Sequence, residues 1–312
     1  MPEGAAKTIV KQPEELLFWV GALIVLLAAL CWGYWSTIHG LFKDWGQDQN
    51  YSVGQLVPLV ALYLVWHDRD RLRRCRISPS AWGIVVIVLA QGMRVFGLLY
   101  LFESAERYAL VATIAGLVLL VAGKQVFRQT RWILLFLFLM VPLPGRVHNL
   151  ISGPLQNHAT AGAVFFLELL GVTVSRLGNV IVLNDSVELG VAEACSGLRM
   201  LTAFVVVAAT LAYVVNRPRW QKATLILSSV PVAIICNLAR LVITAELFLL
   251  ADSQTARTFF HDYAGLTMMP LAVFILAGEL AMMNHLVVST PQGNTPNASG
   301  RRPLSDKKPG SS

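Results

Sequence analysis

The chain alternates between long apolar runs and short polar breaks. Runs with the length or apolarity of a bilayer-spanning helix, which needs about 20 apolar residues, fall near 16–38, 52–66, 80–102, 108–123, 131–143, 198–215, 223–250 and 264–288. The fifth, WILLFLFLMVPLPG, runs into a Pro-x-Pro-Gly breaker that no helix continues through. The stretch 154–174, PLQNHATAGAVFFLELLGVTV, has a polar start and two glycines, Gly162 and Gly171. It reads as a helix lying in the outer interface or dipping into it, with a ninth crossing as the alternative.

Between 178 and 193 the period changes from that of a helix to that of a strand. GNVIVLNDSVELGVAE alternates, is rich in Val and Ile, and carries Asn184-Asp185 at its middle, so it predicts a β-hairpin outside the membrane. The hairpin leads directly into Cys195. The fold class expected is therefore an all-α polytopic membrane protein of about eight transmembrane helices with a small extracytoplasmic β-hairpin. Residues 1–288 form one membrane domain. The Pro-, Gly-, Ser- and Asn-rich segment 289–312 reads as a disordered cytoplasmic tail.

Composition agrees with the pattern. Of 312 residues, 55% are hydrophobic and 14% charged, and the mean hydropathy is +0.60, too apolar for a soluble domain of this length. A net charge of +7 would suggest nucleic acid in a soluble protein, but here the basic residues sit between apolar runs and set membrane orientation. With the N-terminus in the cytoplasm, the cytoplasmic segments are HDRDRLRRCR (67–76), KQVFRQTR (124–131), NRPRWQK (216–222) and a tail holding Arg301, Arg302, Lys307 and Lys308. The loops around 39–50, 103–107, 144–197 and 251–263 then face outward. Lys7 and Lys11 precede the first run, which has no convincing cleavage site and is read as a retained helix.

Four cysteines, Cys31, Cys75, Cys195 and Cys236, form no CxxC pair and no metal-ligand spacing with histidine. Cys195 precedes a helix starting near Ser196, where the helix dipole and Arg199 favour a thiolate, and Gly197 leaves room for a substrate backbone. A small apolar packing residue is the alternative. Asn237, Arg240 and Thr244 recur on one helical face. At a rise of 1.5 Å per residue, Arg240 stands about 27 Å from Lys222, near the outer boundary, where a charge needs a partner or a task. A snorkelling arginine, or one paired with Glu246, is the alternative for it. Cys236, one turn below Arg240, lies too deep for a peptide and water to reach. His261 precedes the last apolar run and can shuttle a proton, but His39, His148 and His158 also fall on the outer side. Arg94 and Gln91 are further polar groups within an apolar run.

MVPLPG (140–145), EACSGLRML (193–201), NLARLV (237–242) and HDYAGL (261–266), in that order before a final apolar run, together resemble the exosortase/archaeosortase family of membrane transpeptidases. The likeness covers roughly 131–288. It implies Cys195 as nucleophile, Arg240 and His261 as the other essential residues, and His39, His148 and His158 as bystanders. It further implies substrates that are exported proteins bearing a short motif such as Pro-Glu-Pro, a membrane helix and a basic tail, passed to an unknown acceptor, with no metal or organic cofactor and no nucleic acid partner. Asn237 and Arg199 are expected as supporting residues. The rival readings are a transporter or export component using Arg94 and Arg240 as binding charges, a membrane acyltransferase or thiol oxidoreductase, and a non-enzymatic assembly factor.

Overall fold

The computed structural model describes residues 13–184, 187–190, 197–250 and 264–286. Helices dominate: α1 (Pro13–Gly33), α2 (Trp35–Gln47), α3 (Leu56–His67), α4 (Arg69–Arg73), α5 (Trp82–Leu99), α6 (Glu103–Val121), α7 (Lys124–Phe136), α8 (Gly145–Leu169), α9 (Leu198–Val214), α10 (Arg219–Leu250) and α11 (Ala264–Leu286), with 3-10 turns at Gln49–Gln55 and Leu137–Met140. A three-stranded antiparallel sheet, β1 (Val174–Leu177), β2 (Val180–Leu183) and β3 (Val187–Gly190), is ordered β1-β2-β3.

By length and apolarity α5, α6 and α10 each suffice to cross a bilayer. Two bent pairs also qualify if each counts as one span: α1–α2, bent by 69°, and α7 with its 3-10 turn followed by α8, bent by 78°. The described residues thus provide three to five spans, against the eight read from the sequence. The difference lies in short helices: α3 has 12 residues and α9 has 17, about 18 and 26 Å at 1.5 Å per residue, and the apolar part of α11 that counts is Pro270–Met283.

Each bend has a local cause. At the first, α1 ends at Gly33, and Arg94 of α5 donates a hydrogen bond through Nη2 to the Gly33 carbonyl. The same guanidinium lies over the Tyr34 ring, 4.4 Å from its centroid. Tyr34 Oη is 2.8 Å from Thr113 Oγ1 of α6, and Gln91 Nε2 donates to Tyr34 Oη at 3.0 Å. This network pairs the Tyr34, Gln91 and Thr113 side chains and Arg94 Nη2, which hydrocarbon would leave unpaired, while Arg94 Nε stays buried without a hydrogen-bond partner among the described residues. At the second bend Pro142 and Pro144 end the 3-10 turn, and α8 restarts at Gly145, as the breaker predicted. Contrary to the expected start near 154, α8 continues through Pro154 with Ser152, Ala159, Thr160, Ala163 and Leu167 buried along it. Burial of that face holds the helix through a residue that removes one of its hydrogen bonds.

Helices α5 and α6 pack with their backbones close. A Cβ on Gly83 would meet Leu120 N at 2.5 Å, and one on Gly116 would meet Ile87 Cγ1 at 2.7 Å, so small residues permit the contact. Arg107 ties the end of α2 to the first turn of α6: its Nη2 reaches Asp44 Oδ2 and Glu103 Oε2, each at 2.7 Å. Nearby, Tyr51 Oη hydrogen-bonds His148 Nδ1 at 2.6 Å and joins the turn before α3 to the start of α8. Burial, with Asp48 and Asp44 beside it, pushes the Tyr51 phenol up to about 12, which keeps it neutral.

The hairpin predicted at 178–193 is present as β2 and β3, paired from Leu183↔Val187 to Val180↔Gly190. Strand β1 is an addition the sequence reading missed. It pairs with β2 across Gly178-Asn179, and Gly178 adopts the positive φ of +65° that the tight turn requires. Alternation along β2 buries Ile181 and Leu183 fully, against Ala163 and Leu167 of α8 and Leu241 and Ala245 of α10. This core seats the sheet beside Arg240.

Candidate functional site

Three elements meet where the hairpin ends. Gly197 is the N-cap residue of α9 and adopts left-handed φ +67°, ψ −21°. A Cβ there would lie 3.2 Å from Asn237 Nδ2 and 3.9 Å from Leu155 Cβ. The position therefore demands glycine twice, for its backbone conformation and for the approach of α10 and α8. On α10, Asn237 is 3% exposed, and its Oδ1 accepts a hydrogen bond from Arg240 Nη2 at 3.2 Å. One turn on, Thr244 Oγ1 donates to the Arg240 carbonyl at 2.7 Å. The asparagine thus links the glycine of the ACSG motif to the arginine of the N-x-x-R motif, although 40 residues separate Gly197 from Asn237 in the chain, 237 minus 197.

Arg199, half-buried in the first turn of α9, is near enough to Arg240 for the two guanidiniums to repel one another. The first turn of α9 and the second half of α10's 32 residues thus bring two cations close to one another. The wall opposite is α8, whose Gly162 lies close to α10: a Cβ there would meet Leu238 Cδ1 at 3.0 Å. Its polar residues reach the sheet, Gln156 Oε1 accepting from Asn179 Nδ2 at 3.2 Å and Asn157 Oδ1 accepting from Arg176 Nη2. Leu155, Gln156 and Asn157 are site neighbours that sequence reasoning missed. Their signal was the polar Gln-Asn-His cluster opening the stretch at 154–174, taken there as the mark of an interfacial helix.

Of the sequence-predicted residues, Asn237, Arg240 and Arg199 are brought together. Cys195 and His261 lie outside the described residues. Glu246, the carboxylate considered as a structural partner for Arg240, has its Oε1 buried without a hydrogen-bond partner. His148 is engaged with Tyr51. Cys236 packs against the cluster of Met200, Phe204, Ala233, Ala272 and Leu276, as expected of a core residue, while Cys75 Sγ donates a hydrogen bond to the Arg71 carbonyl at 3.4 Å. Arg94 belongs to the network of α1, α2, α5 and α6. As a binding charge for a transported solute, Arg94 would have to give up Gly33 and Tyr34.

Exchanging Gly197 for alanine tests how tightly the two motifs are coupled. Left-handed backbone costs a non-glycine residue about 1–2 kcal/mol, and the added methyl group must displace the Asn237 amide. Membrane levels of Gly197→Ala should stay within about twofold of wild type, while activity falls at least about tenfold, since about 1.4 kcal/mol of misalignment is tenfold in rate. Equal loss of protein and activity would make the glycine a folding residue alone.

Apolar spans and a polar constellation at one end of the bundle define the class, a helical polytopic membrane protein. The transmembrane exosortase family model matches residues 45–278, well over half of the chain, and the chain belongs to that family. No curated protein and no solved structure gives a significant match.

Proposed function

We propose that this chain is a cysteine transpeptidase or endopeptidase that cleaves C-terminal sorting signals of exported proteins and passes them to an acceptor. The family is generally one of cysteine peptidases and transpeptidases. The observation that carries the reading is the contact of Gly197 with Asn237 and of Asn237 with Arg240, because it joins the segment holding Cys195 to the arginine that the family resemblance makes essential.

In this mechanism the Cys195 thiolate attacks the scissile carbonyl, forming a tetrahedral oxyanion that Arg240 stabilises, with Asn237 holding the guanidinium in place. His261 takes the thiol proton and delivers it to the leaving amine. A thioacyl enzyme results, which an amine or hydroxyl of an acceptor resolves by transfer and water resolves by hydrolysis. Arg199 adds positive charge beside the thiolate. The eight crossings, the site facing the extracytoplasmic side of the cytoplasmic membrane, and the cytoplasmic tail 289–312 are parts of the same proposal. The substrate's membrane helix lies beside the enzyme in the bilayer, with its basic tail in the cytoplasm.

The test is co-expression with a reporter carrying a Pro-Glu-Pro motif, a membrane helix and a basic tail. The wild-type chain should remove the C-terminal segment, seen as a mobility shift absent without the enzyme and absent when the motif is deleted. A reporter that stays intact across a panel of such signals, with the chain present in the membrane, contradicts the function.

A further inference from the structure

A second polar constellation lies at the opposite end of the bundle from Arg240. A cavity of about 1070 Å³ opens between α3–α4, α7, α9 and the start of α10. Three segments that the sequence reading placed on one side of the membrane, 67–76, 124–131 and 216–222, all line it. Its mouth carries Arg71, Arg128, Arg131, Arg217, Arg219 and Lys222. Among the described residues, the one carboxylate in the lining is Asp68, 4% exposed. It is already engaged, accepting from Tyr213 Oη, from Gln129 Nε2 at 3.5 Å and from Arg71 Nη1 at 3.5 Å. The excess charge at the mouth is therefore strongly positive.

Deeper walls are apolar, formed by Leu64, Phe136, Ala209 and Ala212 among others. They continue onto the outer face of the bundle, where Trp132, Leu135 and Ile226 are exposed at 57%, 56% and 39%. Arg131 lies over the Trp132 ring at 5.4 Å, an arrangement suited to the boundary between headgroups and hydrocarbon. The cavity thus has a cationic mouth at one membrane surface and an apolar flank open toward lipid. Small-ligand pockets run to about 1,000 Å³, and a free phosphate would fill little of this one.

We propose that the cavity binds an anionic phospholipid of the arginine-rich leaflet, its phosphate held by Arg128, Arg217, Arg219 and Lys222 and its acyl chains laid along Leu135 and Ile226. Basic pockets between membrane helices on the cytoplasmic side take such headgroups. The chain's own C-terminal segment is excluded as occupant by charge: its last dozen residues carry Arg301, Arg302, Lys307 and Lys308 against one aspartate, Asp306. Along α10, Lys222 is about 27 Å from Arg240 at 1.5 Å per residue, so lipid here does not compete with a peptide at the other site. The inference stands independently of the proposed peptidase activity.

The test uses the full chain purified in a mild non-ionic detergent. Thermal unfolding, followed by tryptophan fluorescence, is measured with added phosphatidylglycerol, with phosphatidylcholine of the same chains, and with inorganic phosphate; native mass spectrometry counts the lipid retained. Phosphatidylglycerol should raise the Tm and remain bound, while phosphatidylcholine and inorganic phosphate give less than half the shift. The Arg128→Glu/Arg219→Glu variant should lose at least half of both signals. Should that variant unfold, Arg128→Gln/Arg219→Gln, which adds no repulsion, should lose part of both. An equal shift from phosphatidylcholine would show that charge is not read, and an equal shift from inorganic phosphate that no chain is held. Either result, or a neutralised variant that responds as wild type, overturns the proposal.

Discussion

Arg240→Lys should lower processing of a sorting-signal substrate by about 10²–10³, the usual consequence of losing one oxyanion donor, while protein level and Tm change little. Arginine presents several donors in a rigid plane, so one edge can bond Asn237 Oδ1, as Nη2 does at 3.2 Å, while another faces the reacting carbonyl. Lysine places one compact charge on a flexible stem. It either keeps Asn237 or reaches the substrate. Arg240→Ala should cost at least as much and also remove the charged hydrogen bond to Asn237 Oδ1, a loss of about 1.5–3 kcal/mol that would appear as a lower Tm. The measurement is the rate of the mobility shift at matched membrane levels, together with thermal unfolding of the purified variants. Wild-type rates in Arg240→Lys would reduce the arginine to a structural charge at the membrane boundary.

Features with a local cause were readable from the sequence, and features that depend on distant packing were not. Asn184 marked the hairpin turn and occurs there with φ +49°, and Pro142 and Pro144 marked a break that the chain makes. The three arginine-rich segments do gather at one end, lining one cavity. In contrast, β1 escaped notice because Val-Ser-Arg-Leu is too short to show a period, and its pairing depends on β2. Helix α8 begins at Gly145, upstream of the stretch 154–174 that its polar start and glycines picked out, and burial of Ala159, Ala163 and Leu167 against the sheet and α10 carries it through Pro154. Arg94 could be seen as a costly charge, but its acceptor is a carbonyl freed at the α1–α2 bend, which periodicity does not reveal. The site was half legible. Asn237 and Arg240 share a face by helical spacing, whereas the approach of Asn237 to Gly197 arises from how α9 packs on α10.

Cys195→Ala should abolish processing, and Cys236→Ala should leave it within about twofold of wild type. Their contrasting settings account for the difference. Cys195 stands two residues before Gly197, the N-cap of α9, in the segment that leads to Arg199 and, through Gly197 and Asn237, to Arg240. In the proposed mechanism, positive charge brought near Cys195 makes its thiol a nucleophile at neutral pH. Cys236 instead packs among apolar side chains of α9, α10 and α11, where a thiolate would be desolvated. The most direct measurement is processing of the co-expressed reporter by wild type, Cys195→Ala and Cys236→Ala at equal membrane levels. A shift lost with Cys195→Ala alone is the predicted result; a shift that persists in Cys195→Ala contradicts the thioacyl mechanism.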